Sequence, residues 1–303
     1  MSKDVAQALR SASSRLSGAS PSSGADAALL LAYTLEHDRA WLIAHGDEPL
    51  SAADLQRFEA LVERRALGEP VAYLIGTAWF CGRPFKVSPA VLVPRPETEH
   101  VVEAALEHLR SYAKPVILDV GTGSGAIACT LAAELRGAVV YATERSTDAL
   151  AVAERNARAL RHPDPVACHP ELVEGRLRFE LADLLPRDEK LRFDCVVANL
   201  PYVPTAQLPR RPEPAAFEPR EALDGGSDGL REYRRLLARL PGRLNDGAVV
   251  LLEAAPPSIA ALRDLAAAEF PSARVAVGPD YAGLERYIRL VIPFDLPKKT
   301  KVR

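Results

Sequence analysis

Apolar residues recur at helical spacing through the first seventy positions. Val5, Leu9, Ala12 and Leu16 form one stripe with a period of about 3.6 residues, and the stretch from Asp26 to Glu36 carries Leu29, Leu30, Leu31 and Leu35. Between them, residues 17–24 are rich in Ser, Gly and Pro and read as a loop. Ser51, with Asp54 three residues on, reads as an N-cap for a helix carrying Leu55, Phe58, Leu61 and Val62, which Gly68 and Pro70 stop. This predicts a small helical bundle over residues 1–70. Residues 71–93 change character. The apolar runs 71–75 and 84–87, set around Gly76 and Gly82, predict strand pieces of a β-hairpin linker.

From residue 94 onward, strands and helices alternate. Helices are predicted over 98–112, 126–135, 147–160, 229–240 and 258–268. Strands are predicted over 116–120, 138–143, 177–181, 193–198 and 248–253, with a closing pair at 274–277 and 287–292. This alternation implies an α/β fold, a Rossmann-like, mostly parallel sheet wound on both faces. Ligands of such sheets sit at the carboxyl ends of the strands.

Composition narrows the class. The chain has 303 residues, 48% hydrophobic and 26% charged, with a formal net charge of -2, so one or two ordinary globular domains are expected. The charge balance argues against a protein that lives on nucleic-acid backbone, which carries a basic excess. The N-terminus has no apolar stretch of signal-peptide length, and no apolar run approaches about 18 residues. Cys129 and Cys195 lie in apolar runs and read as small buried hydrophobes. A reducing compartment, the cytoplasm, and no membrane contact are the expectation. Residues 161–175 are long for a helix-to-strand connection and read as a surface insertion. His162, Cys168 and His169 within it make a poor metal set beside the nearby prolines, and no metal is expected.

Three strand ends carry candidate chemistry. The first is Asp119-Val120-Gly121-Thr122-Gly123-Ser124-Gly125, where glycines let backbone approach a ligand and a helix N-terminus offers N–H donors. It resembles the first motif of S-adenosylmethionine-dependent methyltransferases. In those, an acid ending the second strand, here Glu144, suits a ribose diol, and the turn after the third, here Asp183 and Leu184, lies beside the adenine. The remaining strand end is Asn199-Leu200-Pro201-Tyr202. An amide nitrogen is a poor nucleophile because its lone pair is delocalised, so an enzyme acting on it must orient it. The Asn199 side-chain oxygen and the Pro201 carbonyl can each accept one N–H, and Tyr202 offers a flat face. Holding reactants at near-attack geometry supplies several kcal/mol.

The chain resembles the peptide chain release factor N5-glutamine methyltransferases, the PrmC/HemK family, over nearly its whole length. The resemblance rests on Pro70-Val71-Ala72-Tyr73-Leu74-Ile75-Gly76, Pro94-Arg95-Pro96-Glu97-Thr98-Glu99, the glycine loop, the Asn-x-Pro-Tyr motif and Ala222-Leu223-Asp224-Gly225-Gly226. It implies a class I methyltransferase domain over 94–303 and methylation of the glutamine side-chain amide in the Gly-Gly-Gln motif of class-one release factors. It also implies S-adenosyl-L-methionine as cofactor, held by Gly121, Thr122, Gly123, Ser124, Gly125, Glu144, Asp183, Leu184 and Asn199. The glutamine is assigned to Asn199, Leu200, Pro201 and Tyr202, and the release factor to the helical domain. The expected enzyme is a monomer with no stable nucleic-acid partner. Leu200 departs from the family's usual proline, and Asn-Leu-Pro-Tyr also suits the exocyclic amine of a flipped adenine. A nucleic-acid adenine N6-methyltransferase is therefore the second reading. A binding module that has lost its chemistry is disfavoured, because the glycines and Asn199 are present.

Overall fold

A computed structural model describes residues 3–160 and 176–294, so the insertion expected at 161–175 lies outside the described residues. The chain divides into two compact units. One comprises Met1–Thr77, Val87–Pro89 and Pro209–Pro219; the other comprises Ala78–Lys86, Ala90–Leu208 and Arg220–Arg303. These divisions cut the chain at other points than residues 70 and 93, and they assign the short segment 209–219 to the helical unit.

The helical unit holds α1 (Val5–Leu16), α2 (Ser23–Leu35), α3 (Arg39–Ala44), α4 (Ala52–Ala66) and α5 (Val71–Ile75). Asp4 starts α1 with a reciprocal capping box to Gln7, and the Ser51 hydroxyl accepts from the Asp54 N–H at 3.0 Å to start α4. The helical stripes bury Val5, Ala12, Leu16, Leu30, Leu31, Phe58 and Val62 in one core. Beside it, the Arg65 guanidinium donates to the buried Asp26 carboxylate at 2.7 Å. Two local readings change. Helix α2 begins inside the expected loop, and residues 71–75 form a short helix rather than a strand. Gly76, at φ 68°, closes that helix in the left-handed conformation, and the turn buries Tyr73 and Leu74.

Apart from Thr77, the hairpin of β1 (Thr77–Phe80) and β2 (Arg83–Lys86) belongs to the second unit. Phe80 and Phe85 meet edge to face at 6.2 Å and belong to the core of this unit. A 3₁₀ turn (Pro96–Thr98) leads into α6 (Glu99–Leu109). Then follow β3 (Val116–Val120), α7 (Ala126–Glu134), β4 (Val139–Glu144), α8 (Thr147–Ala159), β5 (Leu177–Leu181), β6 (Phe193–Ala198), α9 (Arg220–Leu223), α10 (Arg231–Arg239), β7 (Leu244–Glu253), α11 (Pro256–Glu269), β8 (Arg274–Pro279) and β9 (Glu285–Val291).

The seven-stranded sheet has the order β5-β4-β3-β6-β7-β9-β8. From β5 to β7 the neighbours are parallel, and β9 is antiparallel to both its neighbours. Strand alternation splits the core into two layers. Ile117, Val140, Cys195 and Val249 pack with Val101 and Val102 of α6 and Ile127 and Leu131 of α7. Leu118, Val196 and Val250 pack with Tyr233 and Leu236 of α10 and Ile259 and Leu262 of α11. The chain runs outward from β3 to β5 and then returns to β6 on the other side of β3. The switch point therefore lies between β3 and β6, where a doubly wound sheet opens a crevice at its carboxyl edge. No helix among the described residues is long and apolar enough to cross a membrane.

Candidate active site

Register aligns Val120, Thr143 and Ala198 across β4, β3 and β6. The residues that follow therefore leave the sheet side by side at the switch point. The loop after β3 needs its glycines, since Gly121, Gly123 and Gly125 stand at φ 70°, 54° and 80°. The N–H groups of Gly121 and Thr122 both donate to the Thr143 carbonyl at 2.9 Å, bending the loop back over β4. Asn156 of α8 holds the loop from below. Its Nδ2 donates to the Ser124 carbonyl at 2.8 Å and to the Lys86 carbonyl at 2.9 Å, while its Oδ1 accepts from the Lys86 N–H at 2.7 Å.

Two carboxylates serve this loop. Asp119 is buried, and its Oδ2 accepts from the Thr122 hydroxyl at 2.6 Å and the Ala128 N–H at 3.1 Å. Burial pushes its carboxyl up to about 7, and its Oδ1 has no partner among the described residues. Glu144 accepts from the Gly123 N–H at 3.0 Å and from the Arg145 and Ser146 N–H groups at 2.8 and 2.9 Å. A Cβ at Gly123 would meet only the Gly121 carbonyl oxygen, at 4.0 Å, so this face of the loop is open. Leu184 is buried in a left-handed turn at φ 67°, fixed by the Thr143 hydroxyl donating to its carbonyl at 2.6 Å. Open glycine backbone, an acid at the end of β4 and an apolar turn after β5 fit S-adenosyl-L-methionine. Asp183, next in the chain to Leu184, pairs its carboxylate with Arg235 and, at 3.9 Å, with Arg239, both on α10.

After β6, Asn199 is half-buried and its Nδ2 donates to the Thr98 hydroxyl at 3.0 Å. Leu200 turns inward. Its side chain is buried beneath the glycine loop, where a Cβ on Gly121 would lie 3.0 Å from Leu200 Cδ2. Its N–H, which a proline would lack, donates to the Tyr233 hydroxyl at 3.2 Å. That hydroxyl also lies against the Leu200 carbonyl at 3.1 Å and the Glu253 carbonyl. Pro201 and Tyr202 are half-buried, and burial pushes the Tyr202 hydroxyl up to about 12.

The segment 222–226 braces this strand end with backbone. Val203 N–H donates to the Leu223 carbonyl, and Gly225 N–H to the Val203 carbonyl, both at 2.9 Å. A Cβ at Gly225 would lie 2.6 Å from the Pro201 carbonyl oxygen, and one at Gly229 would lie 2.3 Å from that of Tyr202. Both glycines are therefore required by close approach. Sequence reasoning missed Thr98, Tyr233 and Glu253. Thr98 sits in the Pro94–Glu99 segment, whose distinctive sequence was its only signal; the other two carry none. Among the described residues, no group of His, Cys, Asp or Glu could hold a metal ion.

The PrmC N-terminal domain family matches residues 7–76, and the methyltransferase small domain family matches residues 101–209. The release factor glutamine methyltransferase of Moorella thermoacetica is 44% identical over 261 residues, 86% of this chain and 88% of that protein. The protein of the same name from Bacillus subtilis is 38% identical over 297 residues, 96% of this chain and 98% of that protein. Among solved structures, the hMettl16 catalytic domain, in complex with MAT2A 3'UTR hairpin 6, shares the fold with a TM-score of 0.54 at 16% identity. That match covers 78% of this chain and 83% of that one. With relatives matching over nearly its full length, the chain belongs to the release factor glutamine methyltransferase family.

Proposed function

We propose that this enzyme methylates the side-chain amide nitrogen of the glutamine in the Gly-Gly-Gln motif of class-one peptide chain release factors. One observation carries the reading: Asn199, its Nδ2 committed to Thr98, stands directly beside the glycine loop at the switch point. The loop 121–125 and Glu144 would hold S-adenosyl-L-methionine by its amino-acid part and its ribose, with Leu184 against the adenine. When bound, the cofactor supplies an electrophilic sulfonium methyl.

The chain's own residues deal with the nucleophile. Asn199 Oδ1 and the Pro201 carbonyl each accept one N–H of the substrate amide, which aims the nitrogen lone pair and draws it out of conjugation. Tyr202 packs its ring on the planar amide. Its hydroxyl stays neutral at working pH and serves as surface rather than as base. No strong base is needed, because the amide nitrogen becomes acidic as it gains the methyl and its proton leaves to water. Leu200 contributes only backbone to this clamp, since its side chain is buried. The helical unit, which exposes Tyr33 and Ile43, docks the release factor. The enzyme works as a monomer in the cytoplasm, where its substrate is made.

The test is incubation with methyl-labelled S-adenosyl-L-methionine and either a release factor or ribosomal RNA. Label on the release factor, lost when the Gly-Gly-Gln glutamine is changed to asparagine, is the expected result. Label in the RNA alone would overturn the proposal in favour of adenine methylation.

A further inference from the structure

We propose that Thr98 and Glu253 are positioning residues that set which way the Asn199 amide faces. The inference rests on the glutamine-clamp reading above. The three side chains form one chain of hydrogen bonds across the switch point. Asn199 Nδ2 donates to the Thr98 hydroxyl at 3.0 Å, and the Thr98 hydroxyl bonds the Glu253 carboxylate. Thr98 and Glu253 are both buried, and the second Glu253 oxygen, Oε2, has no partner among the described residues.

A hydroxyl has a single proton to give. An ionised carboxylate can only accept, so that proton goes to Glu253. Thr98 is then left with acceptor capacity alone and takes an N–H from Asn199. The amide must therefore turn its NH2 to Thr98, and Oδ1 is the end presented outward. A half-turn of this amide would present donors to a substrate that itself brings donors, and the clamp would repel the glutamine. A buried carboxylate three bonds from the reacting atoms thus converts a symmetric-looking amide into a one-way acceptor.

The direction depends on charge. Burial pushes the Glu253 carboxyl up to about 7, against the Thr98 bond and the nearby Arg286 and Arg95, with Glu97 adding to the rise. Tyr202 and Tyr233 also face it and stay neutral, their hydroxyls pushed upward by burial. Arg286 is itself shared with Asp280 at 2.9 Å. Above pH about 7 Glu253 is ionised and the chain runs one way. Below it, a protonated Glu253 can donate to Thr98, which frees the Thr98 proton for Asn199 Oδ1.

The experiment compares wild type, Thr98→Val, Thr98→Ser and Glu253→Gln. Thr98→Val keeps the shape and loses the hydroxyl. With a release factor and labelled cofactor, its kcat should fall about tenfold or more, with KM for the release factor and Kd for the cofactor within about twofold. Thr98→Ser should recover most of the rate. Wild-type kcat should decline as pH drops through about 7, and Glu253→Gln should flatten that step. In protein labelled with 15N-asparagine, the Asn199 side-chain NH2 signal should show a hydrogen-bonded proton in wild type and Thr98→Ser, and lose it in Thr98→Val. A folded Thr98→Val with unchanged kcat, or an unchanged Asn199 signal, overturns the positioning role. With cofactor saturating, so that the Asp119 carboxyl beneath the cofactor loop does not limit the rate, a wild-type pH step kept in Glu253→Gln overturns the part assigned to Glu253. If wild type labels no release factor, the function reading fails instead, and the NMR comparison still decides the orientation of Asn199.

Discussion

The loop after β3 and the strand end after β6 sit next to each other, yet they hold their shapes in different ways. The glycine loop takes its turns from its own sequence, and Thr143 and Glu144 of β4 and Asn156 of α8 then hold it in place. Its three left-handed glycines, the Thr122–Asp119 bond and the Gly125–Thr122 bond all lie within seven consecutive residues, 119–125. The Asn199–Tyr202 end is shaped from outside. Thr98 orients Asn199, Tyr233 receives the Leu200 N–H, and Gly225 and Gly229 press on the Pro201 and Tyr202 carbonyls. A cofactor common to many enzymes is met by a loop whose turns are set within seven residues. The particular nucleophile is met by a strand end that distant segments shape, so substrate choice can change while the cofactor site stays.

The comparison predicts that substitutions in the two places fail differently. Asn199→Ala should have the largest effect, lowering kcat by about 100-fold or more, in line with the loss of one directed hydrogen-bonding group at a reacting centre. Cofactor Kd, measured by calorimetry, should change far less. Gly225→Ala comes next. Its Cβ would meet the Pro201 and Gly229 carbonyl oxygens at 2.6 and 2.7 Å, so backbone must move. Turnover should drop about tenfold or more with cofactor affinity nearly intact. Gly121→Ala should show the opposite signature. An alanine at φ 70° costs roughly 1–2 kcal/mol, and Leu200 Cδ2 stands at 3.0 Å. Cofactor Kd and thermal stability should suffer before kcat at saturating cofactor does. Tyr202→Phe should do least, within about threefold in KM, because the ring face survives and the hydroxyl is already neutral. If Gly225→Ala weakened cofactor binding as much as Gly121→Ala, the two regions would be one mechanical unit and the distinction would collapse.

The parts of the fold that were legible are those decided by neighbours along the chain. The stripe Val5–Leu16 and the Ser51 cap mark α1 and α4, because side-chain period and cap chemistry act over a few residues. The alternating apolar runs mark each sheet strand, because both faces of this sheet are covered. Residues 71–75 defeat the same logic. Five apolar residues carry no period, and only Pro70 before and Gly76 after, together with burial of Tyr73 and Leu74, select helix. Helix α3 went unread because six residues show too little pattern, although Asp38, whose carboxylate accepts from the Trp41 N–H at 2.7 Å, was its cap signal. Asp183 illustrates the limit at the site. Its position after β5 is legible, but the arginines of α10 that claim its carboxylate are not.

What the sequence alone determined is local and covalent in reach. It set the glycine loop, the acid ending β4, the Asn-Leu-Pro-Tyr run, and the alternation that makes a doubly wound sheet, because dihedral preference and side-chain period need no distant partner. The tertiary structure decided everything that requires two far segments to meet. Strand order puts β6 beside β3 and β7 beside β6, and only that order brings Asn199, Thr98 and Glu253 into one hydrogen-bonded chain. The physical reason is that an amide with two nearly identical ends has no preferred orientation of its own. Its direction is set by the buried group across from it, and packing alone determines which group that is.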